Sequence, residues 1–375
     1  MQRFDAIVVG CGAMGSSVSY NLARRGLHVL TLERFSLNHE RGSSHGRTRV
    51  IRLAYFEDPR YVPLLRRAFV AWDDLARNSG SEVIRRTGGL MIGRKEGPLV
   101  TGVLRSAVAH SLPHRLMNAS EVMSQFSVLR LDEEQCAVHD DNAGILFPDS
   151  CISSFVKLAK ESGCEFRFGE RVTRWKPHPE AVEVETEKET YEAGGLVFAA
   201  GAWTGSLLPR LLPLTCERQV QFWFEAPAGG AFATGRLPVF ISEEDSSHYF
   251  YGIPDVGHGV KVARTHGGTP TDPERMDRRV TDADLEPVRT FMARRLPKLV
   301  PNPIASAPCI YTNTPDSNFV VDFHPQDERV VVMSACSGHG FKFSSVLGEV
   351  AADFVTKRGT DFDVSFLRLG RFSER

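Results

Sequence analysis

Residues 1–33 contain two short apolar runs separated by a glycine-rich turn. Residues 6–9 are continuously apolar, which is typical of a strand buried on both faces. After the turn, apolar side chains recur at helical spacing as far as Gly26, where a helix end is expected. Residues 28–32 predict a second strand, which ends at Glu33. The pattern therefore predicts a parallel strand–helix–strand unit at the start of the chain.

Farther along the chain, the pattern predicts more helices and a larger number of strands. The helices are expected over 58–78, 151–162, 282–295 and 344–357. The strands are expected over 165–168, 195–200, 220–224, 249–252, 260–263 and 330–333, with a hairpin formed by 182–185 and 190–192. The long helix over 58–78 is amphipathic, so one face of it is expected to pack on a core.

These elements predict an α/β fold, and a length of 375 residues suits two domains of ordinary size. The first domain is expected to be Rossmann-like and to bind a dinucleotide. It is assembled from residues 1–85, 148–212 and 310–375. The second is an inserted α+β substrate domain, built on a mostly antiparallel sheet from residues 86–147 and 213–309.

The turn between the first two strands has the spacing Gly10-x-Gly12-x-x-Gly15. Glycine permits a tight turn and a close approach to a pyrophosphate, and the helix that follows directs free N–H groups at the phosphates. Glu33, at the end of the next strand, can accept hydrogen bonds from a ribose diol and would repel a 2′-phosphate. The motif predicts a dinucleotide site in place of a turn without a ligand, but it does not distinguish FAD from NAD.

Residues 41–52 carry four arginines and a histidine with no acidic residue among them. A solvated charged loop is one interpretation; against it, Ile51 and Leu53 indicate that the segment re-enters the core. Arg49 and Arg52 would share a face in a helical turn. Guanidinium groups bind carboxylates in a planar, bidentate way, which suits an amino-acid substrate. A cation beside a flavin would also stabilise its anionic reduced form.

The composition narrows the classes of protein that fit. Hydrophobic residues make up 42% and charged residues 24%, and the net charge of -1 argues against a nucleic-acid-binding protein. The arginines of residues 41–52 make only a weak case for RNA. The seven cysteines include no Cys-x-x-Cys pair, so neither a disulfide framework nor a metal site is expected. With no signal-peptide pattern and no apolar run that spans a bilayer, we expect a cytoplasmic protein that does not enter a membrane.

Three segments carry a specific resemblance. They are residues 42–52 (GSSHGRTRVIR), 309–316 (CIYTNTPD) and 337–345 (SGHGFKFSS). Together with the N-terminal turn, they resemble the monomeric sarcosine oxidase family, which also contains N-methyltryptophan oxidase and peroxisomal sarcosine/pipecolate oxidase. The resemblance covers essentially the whole chain. It implies an FAD-dependent oxidase that acts on a small amino acid and on O2, and we expect a monomer.

The resemblance implies that FAD is covalently attached through Cys309, the cysteine of the family's Cys-x-Tyr-Thr motif. A thiolate near positive charge can add to the flavin 8α-methyl position. Without the motif, an inert buried thiol would be the preferred interpretation. The residues expected to contact FAD are Gly10, Gly12, Met14, Gly15, Glu33, Ser43, Ser44, Thr48, Val172, Gly201, Cys309, Gly338 and Gly340.

The resemblance also implies the substrate and oxygen sites. Lys342, in the Gly-Phe-Lys segment, is expected to hold the substrate carboxylate together with Arg52. Lys261 matches the family lysine near flavin N5, where a fixed cation stabilises superoxide; a surface lysine is the alternative. Catalytic roles are likewise expected for Arg49 and His45.

Tyr251 and Tyr311 match aromatic positions of the family's substrate site, although simple core packing would also place tyrosines there. Two positions depart from the family pattern. Sarcosine enzymes carry a histidine four residues after the oxygen-activating lysine, where this chain has Thr265 followed by His266. Position 47 is arginine where a shorter polar residue is common. Both departures leave the identity of the substrate open.

Three functions follow as hypotheses. The first is an oxidase of a secondary amino acid, such as sarcosine, pipecolate, proline or an N-methyl amino acid, that forms an imine and hydrogen peroxide. The second is a dehydrogenase on the same fold that passes electrons to a quinone or a partner protein; Lys261 argues against it. The third is a flavin-binding module without catalysis.

Overall fold

The computed structural model describes residues 1–334 and 337–372. Its helices are α1 (Ala13–Ala23), α2 (Val62–Ser79), α3 (Pro98–Ala109), α4 (Ala119–Gln125), α5 (Pro148–Glu161), α6 (Thr204–Leu207), α7 (Asp282–Arg295) and α8 (Ser344–Lys357). Short 3₁₀ turns cover Pro59–Tyr61, Gly201–Trp203, Phe341–Phe343, Ser365–Leu367 and Leu369–Phe372.

Strands make up most of the remaining regular structure. They are β1 (Gln2–Val9), β2 (Val29–Glu33), β3 (Arg49–Ile51), β4 (Ile84–Arg86), β5 (Gly89–Arg94), β6 (Arg115–Asn118), β7 (Gln135–Asp140), β8 (Gly144–Leu146), β9 (Glu165–Phe168), β10 (Val172–Pro177), β11 (Val182–Thr186), β12 (Thr190–Phe198), β13 (Thr215–Phe224), β14 (Val239–Asp245), β15 (His248–Ile253), β16 (Val260–Thr265), β17 (Thr269–Pro270), β18 (Pro303–Asn313), β19 (Val320–His324) and β20 (Asp327–Ser334).

The first sheet holds the dinucleotide unit. Its strands run in the order β10-β11-β12-β1-β2-β9, and β20 and β19 continue from the second half of β12. β1 pairs in parallel with both β12 and β2. Parallel strands covered on both faces need continuous apolar sequence, which is why every residue of β2 and the last four of β1 are buried. The sheet therefore confirms the predicted parallel strand–helix–strand unit.

The second sheet is mostly antiparallel, with strand order β17-β13-β16-β15-β14-β5-β7-β6 and with β18 alongside β13. The β14–β5 pair is its parallel exception. β18 pairs with β13 from Thr215↔Asn313 to Phe224↔Pro303. This long antiparallel ladder carries the Cys309 motif into the middle of the molecule, and the expected α/β fold class is confirmed.

A small third sheet, β3-β8-β4, joins the two regions. β3 comes from residues 1–85, β8 comes from residues 86–147, and β4 crosses the predicted boundary between them. The strand β18 also crosses the predicted boundary at residue 309. The division into two domains at these residues stays a prediction, while the strands of the two large sheets otherwise fall into the two predicted sets of segments.

Several elements differ from the sequence patterns. The helix predicted over 58–78 begins as a 3₁₀ turn, and α2 itself starts at Val62, just before a proline that suits a first helical turn. The first helix ends at Ala23, earlier than Gly26 indicated. The strand at 195–200 and the hairpin arm at 190–192 are one strand, β12. The elements β5 and α3 were not predicted.

Two further expectations concern composition. The six cysteines within the described residues are free thiols, whereas Cys336 lies outside those residues. Among the helices of residues 1–334 and 337–372, none combines the length and the apolar composition that a bilayer crossing requires.

Helices α1 and α8 pack closely where Gly348 faces Ser17. A Cβ atom on Gly348 would lie 2.1 Å from Ser17 Oγ and 2.8 Å from the Ser17 carbonyl carbon. Because part of that contact is backbone, the helices must separate to admit a side chain. This contact fixes α1, whose first turn carries the glycine motif, against the helix that follows the Lys342 segment.

We expect Gly348→Ala to lower the free energy of unfolding by about 1–3 kcal/mol, because overpacking a close helix contact forces backbone shifts. The midpoint of thermal unfolding, followed by circular dichroism, measures the effect. Gly359→Ala is the matched control, since no heavy atom lies within 4 Å of the Cβ position at Gly359. Equal midpoints for the two variants would contradict the close packing.

Candidate functional site

A large cavity of about 680 Å³ extends along the carboxyl ends of the first sheet to the face of the second. Its volume lies within the usual range for ligand sites in proteins. Most of the predicted site residues line it. They are Gly10, Gly12, Met14, Glu33, Ser43, Ser44, His45, Arg49, Arg52, Val172, Gly201, Tyr251, Cys309, Tyr311, Gly338, Gly340 and Lys342.

One end of the cavity is built by the glycine turn. Gly10 has φ +99°, a left-handed conformation that favours glycine, and a Cβ on Gly15 would lie 1.8 Å from the Gly10 carbonyl oxygen. Gly15 is therefore not in the cavity wall but sets the close packing of the turn on α1. The helix N-cap, Gly12, has no side chain to cap the first turn. Ser44 Oγ accepts from the Ala13 N–H at 3.1 Å, and the other N–H groups of the first turn are the expected donors for phosphate oxygens.

Glu33 is held in place at the same end. Its two carboxylate oxygens accept hydrogen bonds from the backbone N–H of Cys11 at 2.7 Å and of Phe35 at 2.8 Å. Each oxygen keeps a free lone pair for a ribose hydroxyl. The turn, the uncapped helix and this carboxylate fit the adenosine and pyrophosphate parts of FAD.

Arg49 organises the loop at the centre of the cavity. Its guanidinium donates to the carbonyl oxygens of Ser43 (2.8 Å), Thr48 (2.9 Å) and His45. It has no carboxylate within ion-pair distance among the described residues. The structure also corrects one prediction: Arg49 and Arg52 do not share a helical turn, because residues 49–51 form β3, antiparallel to β8.

His45 lies beside this cationic loop, and its ring is buried. Neither ring nitrogen has a hydrogen-bond partner within the described residues. Burial, and then the neighbouring charges of Arg49 and Lys261, lower the pKa of His45 to about 3. The imidazole is therefore neutral at physiological pH and has both nitrogens available to a ligand.

Lys261 is buried, with 1% of its surface exposed, and does not line the cavity itself. Its Nζ donates to the carbonyl oxygens of Gly46 (3.1 Å) and Thr48 (2.9 Å), directly behind the wall formed by His45 and Arg49. Burial and the charge of Arg49 hold the pKa of Lys261 well below its usual value. Thr48 is likewise behind the wall.

Cys309 lies in β18 and its thiol is buried in the wall. Burial raises the pKa of Cys309, while Arg49, Lys261 and the amide of Gln221 act in the opposite direction. The sulfur therefore has the nearby positive charge that thiolate chemistry requires.

The other end of the cavity contains Arg52 and Lys342. Arg52 is 2% exposed and forms an ion pair with Glu57, in which the Nη2 nitrogen alone donates to both carboxylate oxygens, at 2.6 and 2.8 Å. Lys342 Nζ donates to the His339 carbonyl at 2.7 Å. Burial, and then the charge of Arg52, lower the pKa of Lys342 to about 7. Two cations and one carboxylate thus leave this end with a net positive charge below neutral pH.

Aromatic and imidazole groups complete that end of the wall. Tyr251 and Tyr311 both line it, as does His266, whose ring meets that of Tyr311 edge-on at 5.5 Å. His266 has φ +57°, a left-handed conformation that is uncommon for histidine and turns the chain after β16. Thr265, at the family's histidine position, lines the cavity beside it.

Sequence reasoning missed many residues of the wall, and among the polar ones near Cys309 and Arg52 are Glu57, Gln221 and His339. Glu57 has one sequence signal, since it is the first acidic residue after the arginine-rich segment. His339 also has a signal, because it lies within the segment 337–345 that carries the family resemblance. Gln221 has none of its own, because strand register places it in the wall.

Comparison with known proteins agrees with this geometry. The family described as FAD dependent oxidoreductase matches residues 5–354. The chain belongs to this FAD dependent oxidoreductase family. The family resemblance predicted from the sequence is confirmed. The chain is an FAD-dependent oxidoreductase, which also confirms the predicted enzyme class and FAD as the cofactor.

Two relatives are similar in sequence to this FAD dependent oxidoreductase over nearly its whole length. Monomeric sarcosine oxidase of Streptomyces avermitilis is 40% identical over 356 residues, 93% of each chain. N-methyl-L-tryptophan oxidase of Salmonella enteritidis is 32% identical over 375 residues, which cover 99% of this chain and 100% of that protein.

Solved structures share the fold. NikD, an unusual amino acid oxidase essential for nikkomycin biosynthesis, has a TM-score of 0.86 with 24% identity, covering 98% of both chains. L-proline dehydrogenase from P. horikoshii has a TM-score of 0.86 with 21% identity, covering 99% of this chain and 98% of that one. At these identities the likeness concerns the fold alone.

The pKa of Lys342 gives a prediction for ligand binding. Below pH 7 the ammonium is charged and attracts a carboxylate; above it, the neutral amine does not. We expect the Kd of a small carboxylate without an amine, such as cyclohexanecarboxylate, to rise above pH 7 by up to about tenfold per pH unit. Perturbation of the flavin absorbance measures it.

Lys342→Met is the control for this pH dependence, since the variant keeps the length of the side chain without its charge. Its Kd is expected to be weaker and flat between pH 6 and pH 9. A wild-type Kd that does not change over that range would contradict the role of Lys342.

Proposed function

We propose that this FAD-dependent enzyme oxidises a secondary amino acid, N-methylated or cyclic, with O2 as the electron acceptor and with FAD attached through Cys309. The observation that carries the proposal is that Arg52 and Lys342 line the same cavity as Cys309 and the glycine turn. One ligand site for a carboxylate thus opens on the place where a flavin ring linked to Cys309 would lie.

The substrate class follows from the charges at that end. A carboxylate can displace Glu57 from the Arg52 guanidinium and accept from Lys342 at the same time. The amine reacts in its neutral form, because its lone pair must stabilise the iminium group that loss of a hydride equivalent creates. Activity is therefore expected to rise with pH until Lys342 loses its proton. The names of the relatives, sarcosine oxidase and N-methyl-L-tryptophan oxidase, support an N-methyl or other secondary amino acid.

The chemistry that FAD supplies when bound is the uptake of a hydride equivalent from the carbon next to nitrogen, with later delivery of two electrons to O2. The protein's residues contribute position and charge. Arg52 and Lys342 orient the acid group, and Tyr251, Tyr311 and His266 narrow the space beside it. The resulting imine is hydrolysed by water.

Lys261 and Arg49 supply the charge for the oxygen step. A buried cation with lowered pKa stabilises a negative charge that develops beside it, because few waters compete for that charge. The neutral His45 ring offers hydrogen-bonding nitrogens in the same region. This arrangement favours O2 over a quinone or a protein as the electron acceptor.

The covalent link predicts that the yellow colour stays in the pellet when the protein is precipitated with acid. Cys309→Ala is expected to release the flavin into the supernatant. Cys216→Ala, another cysteine of the second sheet with a free thiol, is the control and should keep it in the pellet. Release of flavin from the wild-type protein would contradict the covalent link through Cys309, but it would not contradict the proposed oxidation of a secondary amino acid.

The oxygen step is tested by Lys261→Met. Anaerobic reduction of the flavin by a secondary amino acid is expected to stay within a few-fold of wild type, because the carboxylate site is intact. Reoxidation by O2, followed by stopped-flow absorbance, is expected to slow on the order of a hundredfold after loss of the cation.

Lys298→Met serves as the control for this experiment, since Lys298 is exposed and does not line the cavity. A wild-type enzyme whose flavin is reduced by the amino acid but consumes no O2 in an oxygen electrode would be a dehydrogenase. That result would contradict the assignment of O2 as acceptor.

A further inference from the structure

Gln221 lies next to Cys309 on the same face of the second sheet. In the ladder between β13 and β18, Gln219 is paired with Cys309 and Gln221 with Ala307. Side chains alternate along a strand, so Gln219, Gln221 and Cys309 point to one face, and Gln221 is the diagonal neighbour of Cys309. Both residues are buried and both line the cavity.

The amide of Gln221 has a fixed orientation. Arg49 Nη1 donates to Gln221 Oε1 at 3.3 Å, and a guanidinium can only donate, so the amide oxygen must face Arg49. The NH₂ group then points away from Arg49. Gln221 Nε2 is buried and has no hydrogen-bond partner within residues 1–334 and 337–372. A buried donor without a partner lowers the stability of the protein, so Gln221 Nε2 is expected to bind an acceptor in the cavity.

The backbone leaves room for this amide at Gly46. A Cβ at that position would lie 2.4 Å from Gln221 Oε1 and 2.8 Å from Nε2. Gly46 also has φ +107°, which favours glycine. The loop that Arg49 holds therefore closes directly over the Gln221 amide and limits its movement.

We propose that Gln221 is a positioning residue for flavin attachment: when Cys309 ionises, the unpaired Nε2–H of Gln221 turns to the sulfur and stabilises the thiolate that adds to the flavin. This inference rests on the proposed covalent link. The amide acts with the charges of Arg49 and Lys261 against burial, which raises the pKa of Cys309. A hydrogen bond to a charged acceptor corresponds to about a tenfold change in the thiolate population.

Attachment of the flavin replaces two bonds to hydrogen with one carbon–sulfur bond. A bond forms between Cys309 Sγ and the 8α carbon of FAD, while the thiol S–H and one C–H of the 8α methyl group are broken. The hydrogens leave as protons or on the flavin, and the two electrons reduce the ring. Dioxygen then takes these electrons and becomes hydrogen peroxide, which restores the oxidised cofactor.

The test uses full-length apoprotein, produced under riboflavin limitation and mixed with FAD in air. Acid-stable flavin absorbance in the precipitated protein, sampled over time, gives the attachment rate at each pH. Gln221→Leu is expected to slow attachment about tenfold at neutral pH and to move the midpoint of the rate–pH profile up by about one unit. A purely structural role would lower the rate without moving that midpoint.

Gln219→Leu is the matched control. Gln219 faces Cys309 directly in the ladder, but its Nε2 already donates to Glu217. Its attachment rate and pH midpoint are expected to equal those of wild type. Gln221→Glu serves if the leucine variant does not fold. It keeps the shape and the contact with Arg49 but lacks the donor, and its negative charge also opposes the thiolate, so its midpoint is expected to move in the same direction and at least as far. Quenching of FAD fluorescence in a Cys309→Ala background verifies that each variant still binds the cofactor.

The outcomes separate the two proposals. If wild-type protein forms no acid-stable flavin, the link through Cys309 fails and this inference fails with it. If wild type forms the link and both Gln221 variants match it in rate and pH midpoint, Gln221 has no role in attachment. A slower rate with an unmoved midpoint also overturns the inference, because it indicates a general structural defect.

Discussion

The guanidinium of Arg49 is bound to the carbonyl oxygens of its own loop, and the rest of the site depends on this interaction. Three backbone carbonyls, those of Ser43, His45 and Thr48, satisfy its donors. These carbonyl oxygens stabilise the Arg49 charge but do not neutralise it, because no carboxylate of the described residues forms an ion pair with Arg49. The loop is thereby held in the cavity wall as a fixed source of positive potential, with His45 in front of it and Lys261 behind.

Burial, and then the positive charges of the site, lower the pKa of three of its basic side chains. Burial together with Arg49 lowers the pKa of both His45 and Lys261, and Lys342 experiences burial and Arg52 in the same way. A cavity whose own residues repel one another in this way is stabilised by anions that enter it. The anions that fit the proposed chemistry are the substrate carboxylate and the reduced flavin, one at each part of the cavity. Substrate binding and electron transfer therefore both depend on the positive charge of the cavity.

Sequence patterns were sufficient to predict the parts of the site that are formed by neighbouring residues. The first strand, the glycine turn and Glu33 are contiguous features whose physics is local, and the structure places them at one end of the cavity. The arginines of residues 41–52 were identified, but their geometry was not, since a helical turn was assumed where β3 forms. Glu57 became visible only through its ion pair with Arg52, which requires the fold of the loop between them.

The remaining features depend on contacts between distant segments. Gln221 reaches Cys309 only through the register of the β13–β18 ladder, which no local pattern specifies. The resemblance implied a position for Lys261 near flavin N5, but not that its Nζ lies behind the cavity wall, where the backbone of residues 46–48 accepts its hydrogen bonds. The strand β5 and helix α3 were overlooked because short apolar runs of mixed character do not separate strand from helix.

The two-electron reduction potential of FAD bound to the Cys309→Ala protein tests the central claim most directly, because this variant separates the effect of the cations from that of the thioether. If the buried charges of Arg49 and Lys261 act on the flavin as described, the potential is more positive than that of free FAD, since they stabilise the anionic reduced form. A potential equal to that of free FAD, or more negative, would contradict the account.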